Sequence, residues 1–148
     1  GSNVSLNKRG GGTQTLTGDN TFSGGVTIQN GTLAVSSVTT VGLAQPLGMG
    51  SGPILFSGAS GLAVTGAGTY TTSRGLTLAN NANTLSVTGT LTLSGEITGG
   101  GSSATFTKAG AGTFNQSGSG SWNSNVFITE GTYNVTSTGS IGSTRCGK

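Results

Sequence analysis

An all-β chain coiled into a parallel β-helix is the fold this sequence predicts, on three observations. Residues 8–42 recur one hundred positions later, with Lys8, Gly10, Gly12, Thr13, Gly18, Val26, Ile28, Gly31, Thr32, Val35, Ser37 and Gly42 identical in both copies. Composition bias alone gives roughly four such identities. Aliphatic residues alternate with small or polar ones in short triplets, the period of a strand with one buried face. Glycine and asparagine clusters separate the triplets closely, and no segment holds a 3.6-residue period, so no helix is expected.

Taken in order, the strand-like segments begin at Asn3-Val4-Ser5-Leu6, then Val26-Thr27-Ile28 and Leu33-Ala34-Val35. Leu62-Ala63-Val64, Leu76-Thr77-Leu78, Leu85-Ser86-Val87 and Leu91-Thr92-Leu93 follow, and the second copy supplies Val126-Phe127-Ile128 and Tyr133-Asn134-Val135. Turn formers stand between them, among them Ser23-Gly24-Gly25, Asn30-Gly31, Gly48-Met49-Gly50, Asn80-Asn81 and Gly118 to Gly120. Asn-Gly after Ile28 is a hairpin signal, and an antiparallel meander is the competing reading. The second copy has Glu130-Gly131 there, and glutamate tolerates a type I′ turn poorly. A corner whose glycine alone supplies the unusual dihedral suits both copies. Gly12, Gly18 and Gly31, with Gly112, Gly118 and Gly131, are therefore the expected corner residues. About twenty residues per turn gives roughly seven turns and a rod of ~35 Å, each turn stacked on the last at ~4.8 Å.

Gly1-Ser2 resembles a cleavage scar. Residues 3–148 read as one β-helix segment, with a full repeat unit over about 8–107 and the start of a second over 108–148. Only 6% of the residues are charged and 31% are hydrophobic, yet net charge is only +3, which suits strands better than disorder. Thirty glycines with two prolines exclude collagen and polyproline. Six basic residues are scattered along the chain, without the clustered stripe that phosphates require, so nucleic acid is not an expected partner. No apolar run is long enough to span a bilayer, so direct membrane insertion is not expected.

Histidine is absent and Cys146 is the one cysteine, which excludes an internal disulfide framework and a Cys/His metal cage. The acids are Asp19, Glu96 and Glu130. Asp19 answers to Ser119 and Glu130 to Asn30, so they form no ladder of paired carboxylates. No catalytic, cofactor-binding or metal-binding residue is expected, and the chain reads as no enzyme. The runs Gly10-Gly11-Gly12 and Gly99-Gly100-Gly101 lack the Gly-Lys-Ser/Thr sequel of a phosphate loop and read as corners. Thr13-x-Thr15-x-Thr17, Thr88-x-Thr90-x-Thr92 and Thr105-x-Thr107 suit the solvent face of a strand rather than an ice-binding ladder. Lys8 and Lys108 read as solvated turn lysines. Phe22 and Trp122 are candidate surface contacts, as carbohydrate platforms if exposed; packing over a loop is the preferred reading. Asn20 and Asn30 are candidates for amide pairing between turns.

Lys8-x-Gly10-x-Gly12-Thr13, the run Leu16 to Ile28 and Gly31-Thr32-Leu33 together resemble the autotransporter-associated β-strand repeat, also called the passenger-associated transport repeat. Leu47-Gly48-x-Gly50-x-Gly52-Pro53 and Leu91 to Gly99 are similar to later portions of that unit. The second copy departs where Ser23-Gly24-Gly25 becomes Asn123-Ser124-Asn125 and Leu16 becomes Gln116. The resemblance implies a right-handed parallel β-helix in the passenger of a large bacterial surface or secreted protein, exported by type V secretion. A stalk that supports passenger folding and export is the function it implies. Flanking repeats of the parent chain are then the expected partners. End-to-end stacking into filaments and adhesion to glycans or neighbouring cells are the alternatives.

Overall fold

The computed structural model describes residues 3–79 and 81–136; Gly1, Ser2, Asn80 and Cys146 lie outside them. Among the described residues there are fourteen strands, numbered in chain order, and no helix. They form a parallel β-solenoid with three faces. Face one stacks β1 (Leu6–Lys8), β3 (Val26–Ile28), β5 (Ile54–Phe56) and β8 (Leu76–Leu78), then the first parts of β11 (Ile97–Ala109) and β13 (Gly120–Ile128). Face two stacks β2 (Thr13–Leu16), β4 (Gly31–Val35), β6 (Ser60–Val64) and β9 (Ala82–Val87), then the second parts of β11 and β13. Face three holds β7 (Thr69–Thr72), β10 (Thr90–Leu93), β12 (Thr113–Gln116) and β14 (Thr132–Val135). Every ladder between them is parallel.

The hairpin reading of Asn30-Gly31 fails on this topology, because β3 pairs with β1 and β5 whereas β4 pairs with β2 and β6. Gly31 and Gly131 are left-handed, with φ of 69° and 68°. A Cβ on Gly31 would lie 2.4 Å from the Gly12 oxygen, and one on Gly131 would lie 2.2 Å from the Gly112 oxygen. These corners need glycine for both its dihedral and its size. The other four expected corner glycines differ. Gly12 and Gly18 have open space where a Cβ would go, whereas Gly112 and Gly118 abut the Gly89 and Gly95 carbonyl oxygens of the preceding turn.

Six turns are described. Leu6, Val26, Ile54, Leu76, Ile97 and Gly120 are successive register partners on face one, giving steps of 20, 28, 22, 21 and 23 residues. Turns longer than the twenty residues expected follow from the third strand, which enters at β7, and from the long 36–53 segment in the second turn. At ~4.8 Å per step the described stack rises about 24 Å.

The register also fixes the relation between the two copies. Lys8 ends β1 on face one, paired with Ile28. Lys108 stands on face two, between Leu85 and Ile128. Likewise Thr13–Leu16 lies on face two, and its counterpart Thr113–Gln116 on face three. One hundred residues are thus four turns and one further face.

Alternation sends one side of each strand inward, as in β3, β8, β10 and β12. Ile28, Leu33, Val35, Leu76, Leu85, Val87 and Ile97 are wholly buried in one continuous column. Each such side chain is worth roughly 1.5–3 kcal/mol. Towards the last turns the column becomes aromatic, with Phe106 meeting Trp122 edge-on at 5.3 Å and Phe114 lying 5.0 Å from Tyr133.

Candidate functional site

The most unusual chemistry in this solenoid lies inside it, where, among the described residues, three cations are buried without a carboxylate bonded to any of them. Lys8 ends β1 and Lys108 is the last residue but one of β11, both on an inward-facing position, where their aliphatic stems lie along the core. Lys8 is 8% exposed and Lys108 not at all, which corrects the expectation of solvated turn lysines. The Lys8 ammonium donates to the carbonyl oxygens of Arg9 at 3.1 Å and Gly10 at 2.6 Å, and across to Asn30 of the next turn at 3.0 Å. Lys108 repeats the arrangement with Ala109 at 2.8 Å, Gly110 at 2.7 Å and Glu130 at 3.1 Å. A left-handed glycine, Gly10 or Gly110, bends the chain just after each lysine, so that two successive carbonyls face one ammonium. All three donor hydrogens of the charged form are used.

Burial pushes Lys108 below the ordinary lysine range, and the nearby Glu130 carboxylate acts in the opposite direction. Copy one has Asn30 at that position and so lacks the opposing charge.

Arg74, just before β8, is the third buried cation and is fully enclosed. Its Nη1 donates to the Leu47 oxygen at 2.7 Å and its Nε to the Gly52 oxygen at 3.0 Å. Both acceptors belong to the 36–53 segment, which Arg74 pins to the stack. Nη2 is buried without a partner, and burial lowers the guanidinium pKa from its usual value. Sequence reading passed over Arg74 because Ser73-Arg74-Gly75 looks like an ordinary turn. The signal for the lysines was present in their recurrence, but a polar turn position does not reveal inward orientation.

Trp122 and Phe22 do not form matched platforms. Trp122 is 4% exposed, packed against Phe106, so its face is closed to a sugar; it packs, as the preferred reading has it, but within strand β13 and not over a loop. The cause is the shift in face, which places Trp122 in register with Gly99 inside the strand column. Phe22 is half-buried, packed against the core beneath Gly48, and its carbonyl accepts from the Met49 amide at 2.8 Å. Asn20 and Asn30 do not pair between turns. Asn20 donates to the Gly18 and Pro46 oxygens, and the Asn30 Oδ1 accepts from the adjacent Gly31 amide. Amide contacts between turns occur instead on face three, from Asn134 to Asn115 and from Asn115 to Thr92.

On the surface, an open groove of about 400 Å³ runs beside the Gly31 corner, lined by small residues such as Gly11, Ser60, Gly61 and Thr84. A smaller one of about 210 Å³ lies between Ser51, Thr77, Glu96 and Thr98. Glu96 accepts a hydrogen bond from Ser121 at 3.1 Å. Among the described residues no three metal-ligating side chains come together. The threonine runs stack unevenly. Thr69, Thr90, Thr113 and Thr132 form one outward column, but Thr15 meets Ala34 and Thr92 meets Asn115.

Residues 6–35, which contain the first lysine and both turns it joins, match the family model described as passenger-associated-transport-repeat. The chain carries a passenger-associated transport repeat. In three dimensions that repeat is a pair of stacked turns, β1 with β3 and β2 with β4. The chain is also similar to the adhesin BmaC autotransporter of Brucella suis biovar 1 (strain 1330), 38% identical over 119 residues. That alignment takes in 76% of this chain, which spans 4% of the relative's length. No solved structure matches the chain. The passenger-repeat turns and the remaining described turns form one stack, a segment of passenger type.

Proposed function

We propose that this segment is a stalk: a β-solenoid spacer within a large autotransporter-like protein at the bacterial surface or outside the cell, supporting the folding and export of its passenger. The observation that carries this reading is the parallel pairing carried through six turns, with a register shift only between Gly100 and Thr105 in the last ladder, and with the buried cations directed to backbone carbonyls of adjacent turns. The flanking repeats of the parent chain are its partners, and end-to-end stacking would use the same strand pairing. No catalytic role is proposed, since among the described residues Asp19, Glu96 and Glu130 form no three-carboxylate group. In small-angle scattering the stalk reading predicts a rigid rod whose cross-section holds from pH 5 to 8, and a glycan array should give no specific signal. A compact or flexible particle would contradict it.

Adhesion is the second reading, favoured by the relative's description as an adhesin. It would use the outward Thr71, Thr92, Asn115 and Asn134 column of face three. Specific glycan binding that is lost on Asn115→Ala would replace the stalk reading with this one.

A further inference from the structure

We propose that Lys8 and Lys108 are register locks: each ammonium ties its own corner to a carbonyl 22 residues on and so selects the stacking register of the next turn. The same three bonds form in both copies, although the copies stand on different faces of the coil. The contact therefore belongs to the repeat and not to its position in the stack.

Packing alone does not require a lysine here. On face two the register partners leading to Lys108 are Leu33, Leu62 and Leu85, and on face one Lys8 is followed by Ile28 and Phe56. An aliphatic residue fills the same inward position in the neighbouring turns and avoids the desolvation of a charge.

What the aliphatic column lacks is selectivity. The strands stacked on face one read Val26-Thr27-Ile28, Ile54-Leu55-Phe56 and Leu76-Thr77-Leu78, so a slip of two residues keeps the same side of each strand inward. Alternation penalises a one-residue slip, which turns the strand over, but not a slip of two. The lysine breaks this degeneracy, because a two-residue slip carries the Asn30 or Glu130 carbonyl away and leaves a buried ammonium one bond short. Losing a bond to a buried charge is costly in a way that exchanging one aliphatic contact for another is not. Arg74 makes a contact of the same span in the opposite direction, to Gly52.

Register is measured by disulfide trapping in a Cys146→Ser background. Asn7 and Thr27 are outward register partners, so the pair Asn7→Cys with Thr27→Cys reports the native register, and Asn7→Cys with Gln29→Cys reports a two-residue slip. With Lys8 intact, the native pair should oxidise at least about tenfold faster than the slipped pair. Lys8→Met, similar in length and uncharged, should reduce that ratio several-fold. An unchanged ratio in a folded Lys8→Met chain overturns the proposal. Should Lys8→Met fail to fold, Lys8→Ala is examined with n-propylammonium, which can re-enter the three-carbonyl cradle. Recovery of the strand signal and the native ratio with n-propylammonium, but not with n-propanol, supports the lock; recovery with neither, or equally with both, overturns it.

Discussion

The two copies of the repeat have the same internal geometry and different surroundings. In copy one the lysine stands on face one and the strand after it on face two; in copy two they stand on faces two and three. Both keep the three-carbonyl lysine cradle and the left-handed corner glycine, at Gly31 and Gly131. Both step 20 residues from lysine to isoleucine and 19 from the next strand to its partner, Gln14 to Leu33 and Phe114 to Tyr133. The repeat therefore specifies a two-turn unit, and the intervening residues decide which face it occupies. Burial differs most: Ile28 is fully enclosed between two neighbouring strands, while its counterpart Ile128, in the last described turn and paired on one side only, is 54% exposed.

That difference sets the largest expected effect. Ile28→Ala should cost about 2–5 kcal/mol in urea unfolding, as for a buried aliphatic truncation. The same change at Ile128 should stay within about 1 kcal/mol. Comparable losses would show that burial does not separate the copies.

A smaller contrast concerns the corners. Gly31→Ala forces a Cβ against the Gly12 and Gly10 oxygens at a left-handed position, and a loss of roughly 2–3 kcal/mol is expected. Gly12→Ala meets open space, so its unfolding free energy should change by no more than about 0.5 kcal/mol. Because Gly131 matches Gly31 in φ and crowding, Gly131→Ala should follow Gly31→Ala and not Gly12→Ala.

The smallest effects are pH-dependent and belong to copy two. Lys108 titrates below its ordinary 10.5 in the fold. Between the two values the unfolded chain binds the extra proton, so stability should rise with pH relative to Lys108→Met. Tyr133 behaves oppositely. Burial raises its pKa above the ordinary 10.0, so above that pH the unfolded chain ionises first and stability should fall relative to Tyr133→Phe. Equilibrium unfolding of the three proteins from pH 8 to 11 checks both signs.

The period-two triplets and the +100 recurrence made the parallel stack legible, since inward alternation is a property of sequence spacing alone. The Asn30/Glu130 exchange identified the corner for the same reason, because only the glycine there is indispensable. The relative phase of the copies was not legible. It depends on the sum of irregular turn lengths, including the 28-residue second turn, and no local pattern announces that sum. Trp122 was expected to pack over a loop and, as a direct result, its place within β13 was missed. The lysines were recognised as recurrent, but their inward orientation depends on Gly10 and Gly110 folding carbonyls back over the strand end. Arg74 acts through a segment one turn earlier, a contact without a local sequence mark.

The most direct test of the two-turn unit displaced by one face is the partner of Asn115. The structure pairs it with Thr92 on face three, whereas Ser86 pairs with Ala109 on face two. In the Cys146→Ser background, Thr92→Cys with Asn115→Cys should form an intramolecular disulfide readily, and Ser86→Cys with Asn115→Cys should not. Efficient cross-linking of the Ser86 pair, with the Thr92 pair left reduced, would place the second copy on the wrong face and contradict the account.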